Sequence, residues 1–257
     1  MECAEYTALR QGGDNHRTPM VVLRSGVLET EQGRELKVHV PFCRVAPKND
    51  VLKIVRESIP FIAVPALLGI AVLVFGFWYL TILCAIIAGF MAYFFRDPKR
   101  VPPSDPNLVV APADGRVTRV APTTFIDNAP ATLVSIFLSP LDVHINRSPI
   151  AGRVLDISYT PGKFLMATNE KASAVNEQNA LIIQGEKVTV VCKQIAGILA
   201  RRVVCWTRKG DNLALGERFG MIKFSSRTDV ILPQNVKVTV KEGSRVCGGV
   251  TIIGQIA

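Results

Sequence analysis

Histidine and closely spaced cysteine pairs are what this sequence has least of. Only His16, His39 and His144 occur, too few for a histidine-rich metal site. The six cysteines lie far apart, with no Cys-x-x-Cys pair, which argues against a thiolate zinc site and a disulfide framework and suits a reducing compartment. A Gly-x-Ser-x-Gly elbow, typical of many serine hydrolases, is also missing. We therefore expect no metal cofactor and no α/β-hydrolase site.

Charge is absent from Ser58 to Phe95. As one straight helix, Ile59–Phe95 would be roughly 55 Å long, against a hydrocarbon core of about 30 Å, so two short spans or a re-entrant loop reversing near Gly76 fit better. Basic residues flank both ends, which predicts a membrane hairpin with both flanks on the cytoplasmic side; these are Lys48, Lys53, Arg56, Arg96, Lys99 and Arg100. The alternative is a buried hairpin of a soluble protein. A signal peptide would be shorter and would lie nearer the N-terminus.

The positive charge is concentrated after this segment. Residues 1–57 hold nine Lys/Arg and eight Asp/Glu, whereas residues 96–257 hold 21 Lys/Arg and 13 Asp/Glu, out of a net charge of +9. A basic domain beside a membrane is attracted to anionic headgroups. No basic helix or aromatic-studded basic strand favours nucleic acid as the partner. We predict an N-terminal segment (1–57), a membrane hairpin (58–95) and one further domain (96–257).

The further domain has the pattern of a mainly β fold. Short alternating or apolar runs are bounded by Gly, Pro and Asn: Val117–Val120, Thr132–Leu138, Arg153–Tyr159, Ala180–Gln184, Lys187–Lys193, Arg201–Trp206, Met221–Phe224, Asp229–Leu232 and Val236–Val240. Phe164–Glu177 is the one helical or irregular stretch. We expect a sandwich- or barrel-like β domain. In the first 45 residues, a short β-hairpin within Val21–Val40 and disorder both remain open.

Three segments of this domain carry residues suited to catalysis. They are Ala111-Pro-Ala-Asp114-Gly-Arg-Val117, Ser139-Pro-Leu-Asp-Val-His144-Ile-Asn-Arg-Ser-Pro149 and Phe224-Ser225-Ser226-Arg227. A serine hydroxyl needs a neighbouring base to become a nucleophile, and His144 is the only histidine of this domain. Each segment alone would be interpreted as a turn or an ordinary hydrogen-bonded loop.

In this order after an apolar segment, the three segments closely resemble the phosphatidylserine decarboxylase family, in its short, single-domain branch. Phe95-Arg-Asp-Pro98 and Pro161-Gly-Lys-Phe-Leu165 extend the resemblance, which runs from about Phe94 to the C-terminus. Family members cleave themselves and carry a pyruvoyl group made from their own serine. The resemblance implies a triad of Asp114, His144 and Ser226, with cleavage between Ser225 and Ser226.

The resemblance also implies a mechanism in two stages. His144, oriented by Asp114, would activate Ser226 to attack the Ser225 carbonyl, and elimination would leave a pyruvoyl group at position 226. The substrate amine would then condense with that group, which takes up electrons as CO₂ departs, and His144 would protonate the product carbon. Residues 1–225 and 226–257 would stay associated as a heterodimer, with a higher homo-oligomer also open.

Two features qualify this interpretation. The residue before the reactive serine is usually glycine in the family, and here it is Ser225, which predicts slower processing or a chain that does not cleave. Basic residues that could bind the substrate phosphodiester are Arg218, Lys223, Arg227, Lys163 and Lys171. Phe164, Leu165 and Met166 line the substrate entrance or belong to the core.

The sequence thus predicts a lyase of phospholipid biosynthesis at the cytoplasmic side of the inner membrane, making phosphatidylethanolamine from phosphatidylserine. A decarboxylase of another serine-headed lipid, such as archaetidylserine, has the same headgroup chemistry. A non-cleaved, non-catalytic β-sandwich module tethered to the membrane is the alternative from another class.

Overall fold

The computed structural model describes strands 22–24, 27–29 and 35–37 and residues 53–163, 165, 175–197, 203–223 and 226–257. Two compact units divide the chain, Met1–Val40 and Pro41–Ala257. The first contains three short antiparallel strands, β1 (Val22–Arg24), β2 (Val27–Glu29) and β3 (Glu35–Lys37), in the segment where a β-hairpin was one of two expectations.

Two apolar helices open the described part of the second unit. Strand β4 (Lys53–Ile54) and a 3₁₀ turn (Arg56–Ser58) lead into α1 (Ile59–Val74), and α2 (Trp78–Phe94) returns the chain to β5 (Arg96–Asp97), which pairs with β4. Gly76 has φ +83° at the reversal, a conformation that favours glycine. Arg56–Val74 is long and apolar enough to cross a membrane, with a mean hydropathy of 2.1, whereas α2 is shorter.

The strands of the body follow in chain order: β6 (Leu108–Val110), β7 (Gly115–Thr124), β8 (Pro130–Leu138), β9 (Ile145–Arg147), β10 (Gly152–Thr160), β11 (Gln178–Gln184), β12 (Thr189–Ala196), β13 (Val203–Cys205), β14 (Asn212–Leu213), β15 (Arg218–Ile222), β16 (Ser226–Pro233), β17 (Val236–Val238), β18 (Arg245–Val246) and β19 (Ile252–Ile256). Every strand predicted from the sequence overlaps one of these. The mainly β fold is therefore confirmed. The predicted stretch Phe164–Glu177 lies largely outside the described residues.

An eight-stranded antiparallel sheet in the order β14-β10-β11-β12-β16-β8-β7-β18 forms the body's main layer. The alternating apolar residues of its strands bury one face, which packs against the small sheet β17-β19-β6. A second small sheet, β13-β15-β9, also belongs to the body. Bulges in β7 and β10 bend the large sheet. Strand β16 lies near its centre, hydrogen-bonded on both sides.

The cysteines agree only in part with the expected reducing environment. Cys84, Cys192 and Cys205 are free thiols. Cys247 is disulfide-bonded, which the sequence spacing did not predict.

Candidate active site

Ser226 is the first residue of β16 and is buried. It pairs with Ala196 of β12 on one side and with Leu138 of β8 on the other. The side chain is 0% exposed, and its hydroxyl has no hydrogen-bond partner among the described residues. A buried polar atom without a partner is costly and is therefore rare outside functional sites. This hydroxyl is thus a good candidate for a reacting group.

His144 follows the loop that connects β8 with β9. Its side chain is 1% exposed, and Nδ1 lies 2.9 Å from the carbonyl oxygen of Asp142. Because a carbonyl only accepts, Nδ1 carries the proton and the lone pair of a neutral ring is on Nε2. Nε2 has no partner within the described part of the chain. Burial lowers the pKa of His144 from 6.5 to about 4, so the imidazole is neutral at pH 7.

A hydrogen bond between β9 and β16 brings His144 and Ser226 to the same end of the sheet. The Asn146 amide donates to Thr228 Oγ1 at 2.9 Å, and both side chains are fully buried. Asn146 is two residues beyond His144, and Thr228 is two residues beyond Ser226. Ala196, the strand partner of Ser226, also belongs to one buried cluster with Ile222. The Ile222 amide also donates to the His144 carbonyl at 3.2 Å.

Asp114 reaches this same end of the sheet from β7. Arg116 pairs with Phe137, so the residue before Gly115 lies beside the end of β8. A Cβ at Gly115 would be 2.1 Å from the Phe137 carbonyl oxygen, which explains the glycine after the aspartate. The sheet therefore brings all three predicted residues to the same end of its strands.

The Asp114 carboxylate has strong partners of its own. It accepts from Arg100 Nη2 at 2.7 Å and from the Gly248 amide at 2.8 Å. Burial raises the pKa of Asp114, and the Arg100 guanidinium and the Gly248 amide oppose this shift. The orienting hydrogen bond of His144 goes instead to the Asp142 carbonyl. The predicted role of Asp114 in orienting His144 stays a prediction.

The predicted phosphate ligands differ in how available they are. Arg218 is ion-paired with the buried Asp97, and the buried Arg227 donates to Asp229 at 3.0 Å. Lys163 is exposed. Lys223 is half-buried, with its ammonium 5.1 Å from the centre of the Phe61 ring of α1. Leu165 is 36% exposed. Ser225, Phe164, Met166 and Lys171 lie outside the described residues.

Several residues of the site were missed in the sequence. Phe94, at the end of α2, lies with its ring centre 4.2 Å from that of His144. Arg100 pairs with Asp114, and Asn146 and Thr228 join the two strands. The sequence gives one signal for Asn146 and Thr228, which lie two residues beyond His144 and Ser226. The long-range partners Phe94 and Arg100 have none.

Fold and site together define a class: a mainly β protein with an apolar helical hairpin and with a buried serine and histidine at one end of the large sheet. A profile of the family described as phosphatidylserine decarboxylase matches residues 87–254. Proteins named phosphatidylserine decarboxylase proenzyme are similar to this chain. That of Chlorobium phaeobacteroides is 46% identical, covering 66% of this chain and 80% of its own. The protein of Geobacter metallireducens is 41% identical, and the alignment covers 81% of this chain and 99% of that protein. The protein of Xanthobacter autotrophicus is 42% identical, and the alignment covers 82% of this chain and 92% of that protein. The chain belongs to the phosphatidylserine decarboxylase family.

Proposed function

We propose that this protein is a self-processing, pyruvoyl-dependent decarboxylase that converts phosphatidylserine to phosphatidylethanolamine and CO₂ at the membrane surface. One observation carries the proposal beyond family membership. The Ser226 hydroxyl and His144 Nε2 are both buried, both lack a hydrogen-bond partner among the described residues, and lie on segments that the Asn146–Thr228 hydrogen bond joins. A nucleophile and its base in a waiting state would have this arrangement.

Self-processing begins with proton transfer from Ser226 to His144. Because Nδ1–H is held by the Asp142 carbonyl, Nε2 is the atom that accepts the proton. Oγ then bonds to the Ser225 carbonyl carbon, and the peptide C–N bond between the two residues breaks, giving an ester. Loss of the Ser226 Cα proton breaks the Cβ–Oγ bond and releases residues 1–225 with a new carboxylate. The unsaturated residue that remains tautomerises and takes up water, ammonia leaves, and a pyruvoyl group begins the smaller chain.

Residue 226 fits the requirements of this group. It is held between two strands, so its backbone is fixed, and its side chain already occupies a buried position. The pyruvoyl carbonyl would supply an electrophile that captures the substrate amine and accepts electrons as CO₂ leaves. His144 would exclude water from one side of the site and deliver a proton from Nε2 to the product carbon, which requires that Nε2 be protonated at that step.

The strand arrangement supports a stable heterodimer after cleavage. Strand β16 of the smaller chain pairs along its whole length with β8 of the larger one, and from Ser226 to Ile231 with β12. Strand β19 likewise lies between β17, from its own chain, and β6 of the larger chain. Separation of the two chains would break these ladders and expose the core they enclose.

The helical hairpin is the proposed membrane anchor. Its apolar side chains remain uncovered by protein, including Leu67, Ile70 and Ile86, each more than 60% exposed. Helix α1 has 16 residues, roughly 24 Å, and the 3₁₀ turn before it extends the span to 19 residues, so a full crossing and a re-entrant hairpin both suit it. Arg56 and Arg96 flank the two helices on the side of the body, which favours a cytoplasmic body at the inner membrane.

Lys223 is the proposed contact for the phosphodiester of the substrate. It lies three residues before Ser226 and touches the base of α1, where a headgroup would arrive. Arg218 and Arg227 already neutralise buried carboxylates, so they are poorer candidates. Lys163 is a second candidate contact, because its side chain is exposed.

Denaturing mass spectrometry of the purified protein tests the proposal, under reducing conditions because Cys247 is disulfide-bonded. We expect a fragment of residues 226–257 that begins with a keto group, and CO₂ release from phosphatidylserine vesicles. An intact chain after long incubation, with no CO₂ release, would indicate a non-catalytic module.

A further inference from the structure

The last turn of the hairpin differs from the rest of it. Most of α2 exposes its apolar side chains, but Phe94 and Phe95 are 0% and 1% exposed. They form a cluster with Val143 and Ile145, the chain neighbours of His144, and with Met221 of β15, which pairs with Ile145. The end of the proposed anchor is therefore part of the wall of the candidate active site.

Phe94 contacts the imidazole itself. The two ring centres are 4.2 Å apart, with the planes inclined by 35°. The ring covers one face of the imidazole, which limits the rotation of the side chain and excludes water from it. The Asp142 carbonyl supplies a second constraint on the imidazole, because it accepts the hydrogen bond from Nδ1–H.

A second link runs through the backbone. Arg96 Nη2 donates to the Leu141 carbonyl oxygen at 2.7 Å, and its guanidinium covers the Tyr93 ring at 3.8 Å from the ring centre. Leu141 directly precedes Asp142, whose carbonyl holds His144. The end of α2 and the first residue of β5 therefore contact the face of the imidazole and the peptide unit next to the one whose carbonyl holds Nδ1.

We propose that residues Tyr93–Arg96 position His144, with Phe94 and Arg96 as positioning residues, so that the anchor forms part of the catalytic machinery as well as a tether. This inference rests on the proposed function, since it assigns these residues to the same reaction. A displaced imidazole slows both the proton transfer from Ser226 and the later proton delivery, while leaving lipid binding intact.

The first test compares Phe94→Leu with Phe75→Leu. Phe75 is 76% exposed at the far end of the hairpin, so the control makes the same change in the anchor away from His144. We expect Phe94→Leu to slow self-cleavage and to lower kcat by roughly 10- to 100-fold, with KM unchanged. Phe75→Leu should match the wild type. Equal effects of the two variants, confined to KM, would overturn the proposal.

Arg96→Ala provides a surface variant in case Phe94→Leu does not fold. Its control is Arg56→Ala, which removes a cation from the other side of the hairpin base. We expect Arg96→Ala to reduce kcat, Arg96→Lys to restore it in part, and all three to bind vesicles equally. If Arg96→Ala and Arg56→Ala lose activity equally, or neither does, the backbone link is wrong.

A third measurement separates this proposal from the proposed function. In the non-cleaving Ser226→Ala chain, ¹⁵N NMR of the three histidines reports the His144 tautomer without any catalysis. Adding Phe94→Leu should shift His144 from one tautomer to a mixture of the two. An unchanged spectrum would refute positioning by Phe94, whatever the wild type catalyses. A wild type that neither matures nor releases CO₂ would refute the proposed function alone.

Discussion

In the proposed reaction, Ser226 and His144 would owe their reactivity to what surrounds them. Serine is a weak nucleophile, and a histidine is only one of many possible hydrogen-bonding residues. Here a backbone carbonyl holds Nδ1, which leaves Nε2 as the base, and burial keeps the ring neutral. The Ser226 hydroxyl lies in the core without a competing partner among the described residues.

Replacing Ser226 by alanine should abolish both self-cleavage and decarboxylation, because no hydroxyl remains to attack and no pyruvoyl group can form. Denaturing gel electrophoresis and CO₂ release measure the two effects. Ser225→Gly is the matched control: it changes the adjacent residue, relieves crowding at the attacked carbonyl, and should mature at least as fast as the wild type. Activity in Ser226→Ala would mean that the pyruvoyl mechanism is wrong.

Self-cleavage should depend on pH through His144. Its pKa of about 4 predicts a precursor cleavage rate that rises with pH near 4 and is constant above about pH 5. Stopped time courses of freshly refolded precursor measure this profile. A rate that continues to climb through pH 6.5 would contradict a buried, neutral imidazole.

The same shift affects stability. Because the folded pKa lies below the unfolded value of 6.5, the unfolded chain binds more protons between pH 4 and 6.5. The free energy of unfolding should therefore fall as the pH drops through this window, by about 3 kcal/mol in total. Denaturant unfolding of Ser226→Ala and of the double variant with His144→Gln measures this effect. The difference between their free energies of unfolding should change with pH below 6.5 and be constant above pH 7.

At the scale of elements, β9 and β16 hold the site together through one buried hydrogen bond. Asn146 donates to Thr228 and accepts from Gln194, whose own carbonyl oxygen accepts from Asn179. This chain of amides runs beneath the site from β9 to β11. It links β9, which directly follows His144, to β16, which begins at Ser226.

Thr228→Val keeps the shape of the side chain and removes the acceptor for Asn146. We expect a loss of roughly 1–3 kcal/mol in the free energy of unfolding, since the buried amide loses its partner, together with slower self-cleavage. Thr239→Val is the control, because its hydroxyl donates to the Ile252 carbonyl far from the site. If both variants mature at the wild-type rate, the hydrogen bond serves stability alone.

At the scale of the whole molecule, an exposed apolar hairpin is joined to a β body through buried aromatic rings. Phe61 of α1 contacts Phe95, and Phe94 contacts His144. Most other apolar side chains of the hairpin are exposed, and they must be shielded from water by something else. A lipid bilayer is the solvent that suits it.

The protein should therefore stay in the membrane fraction after washes with high salt, because apolar burial and not charge retains it. Sedimentation after a high-salt wash and after detergent treatment measures this, and detergent alone should release it. A control with three hairpin leucines, Leu67, Leu68 and Leu73, changed to glutamine should become extractable by salt. Release of the wild type by salt would mean that the hairpin binds the membrane only peripherally.

Much of this organisation is determined by local sequence. The uncharged run from Ser58 to Phe95 and the alternation along strands such as Thr132–Leu138 depend on neighbouring residues, so hairpin position and strand locations followed from them. The candidate residues Asp114, His144 and Ser226 were found through motifs. Tertiary structure alone decided their partners: Asp114 meets Arg100, His144 meets Phe94 and Asp142, and β9 is joined to β16. Except for the nearby Asp142, these contacts join residues far apart in the chain, and hydrophobic patterning carries no information about which buried polar groups will pair.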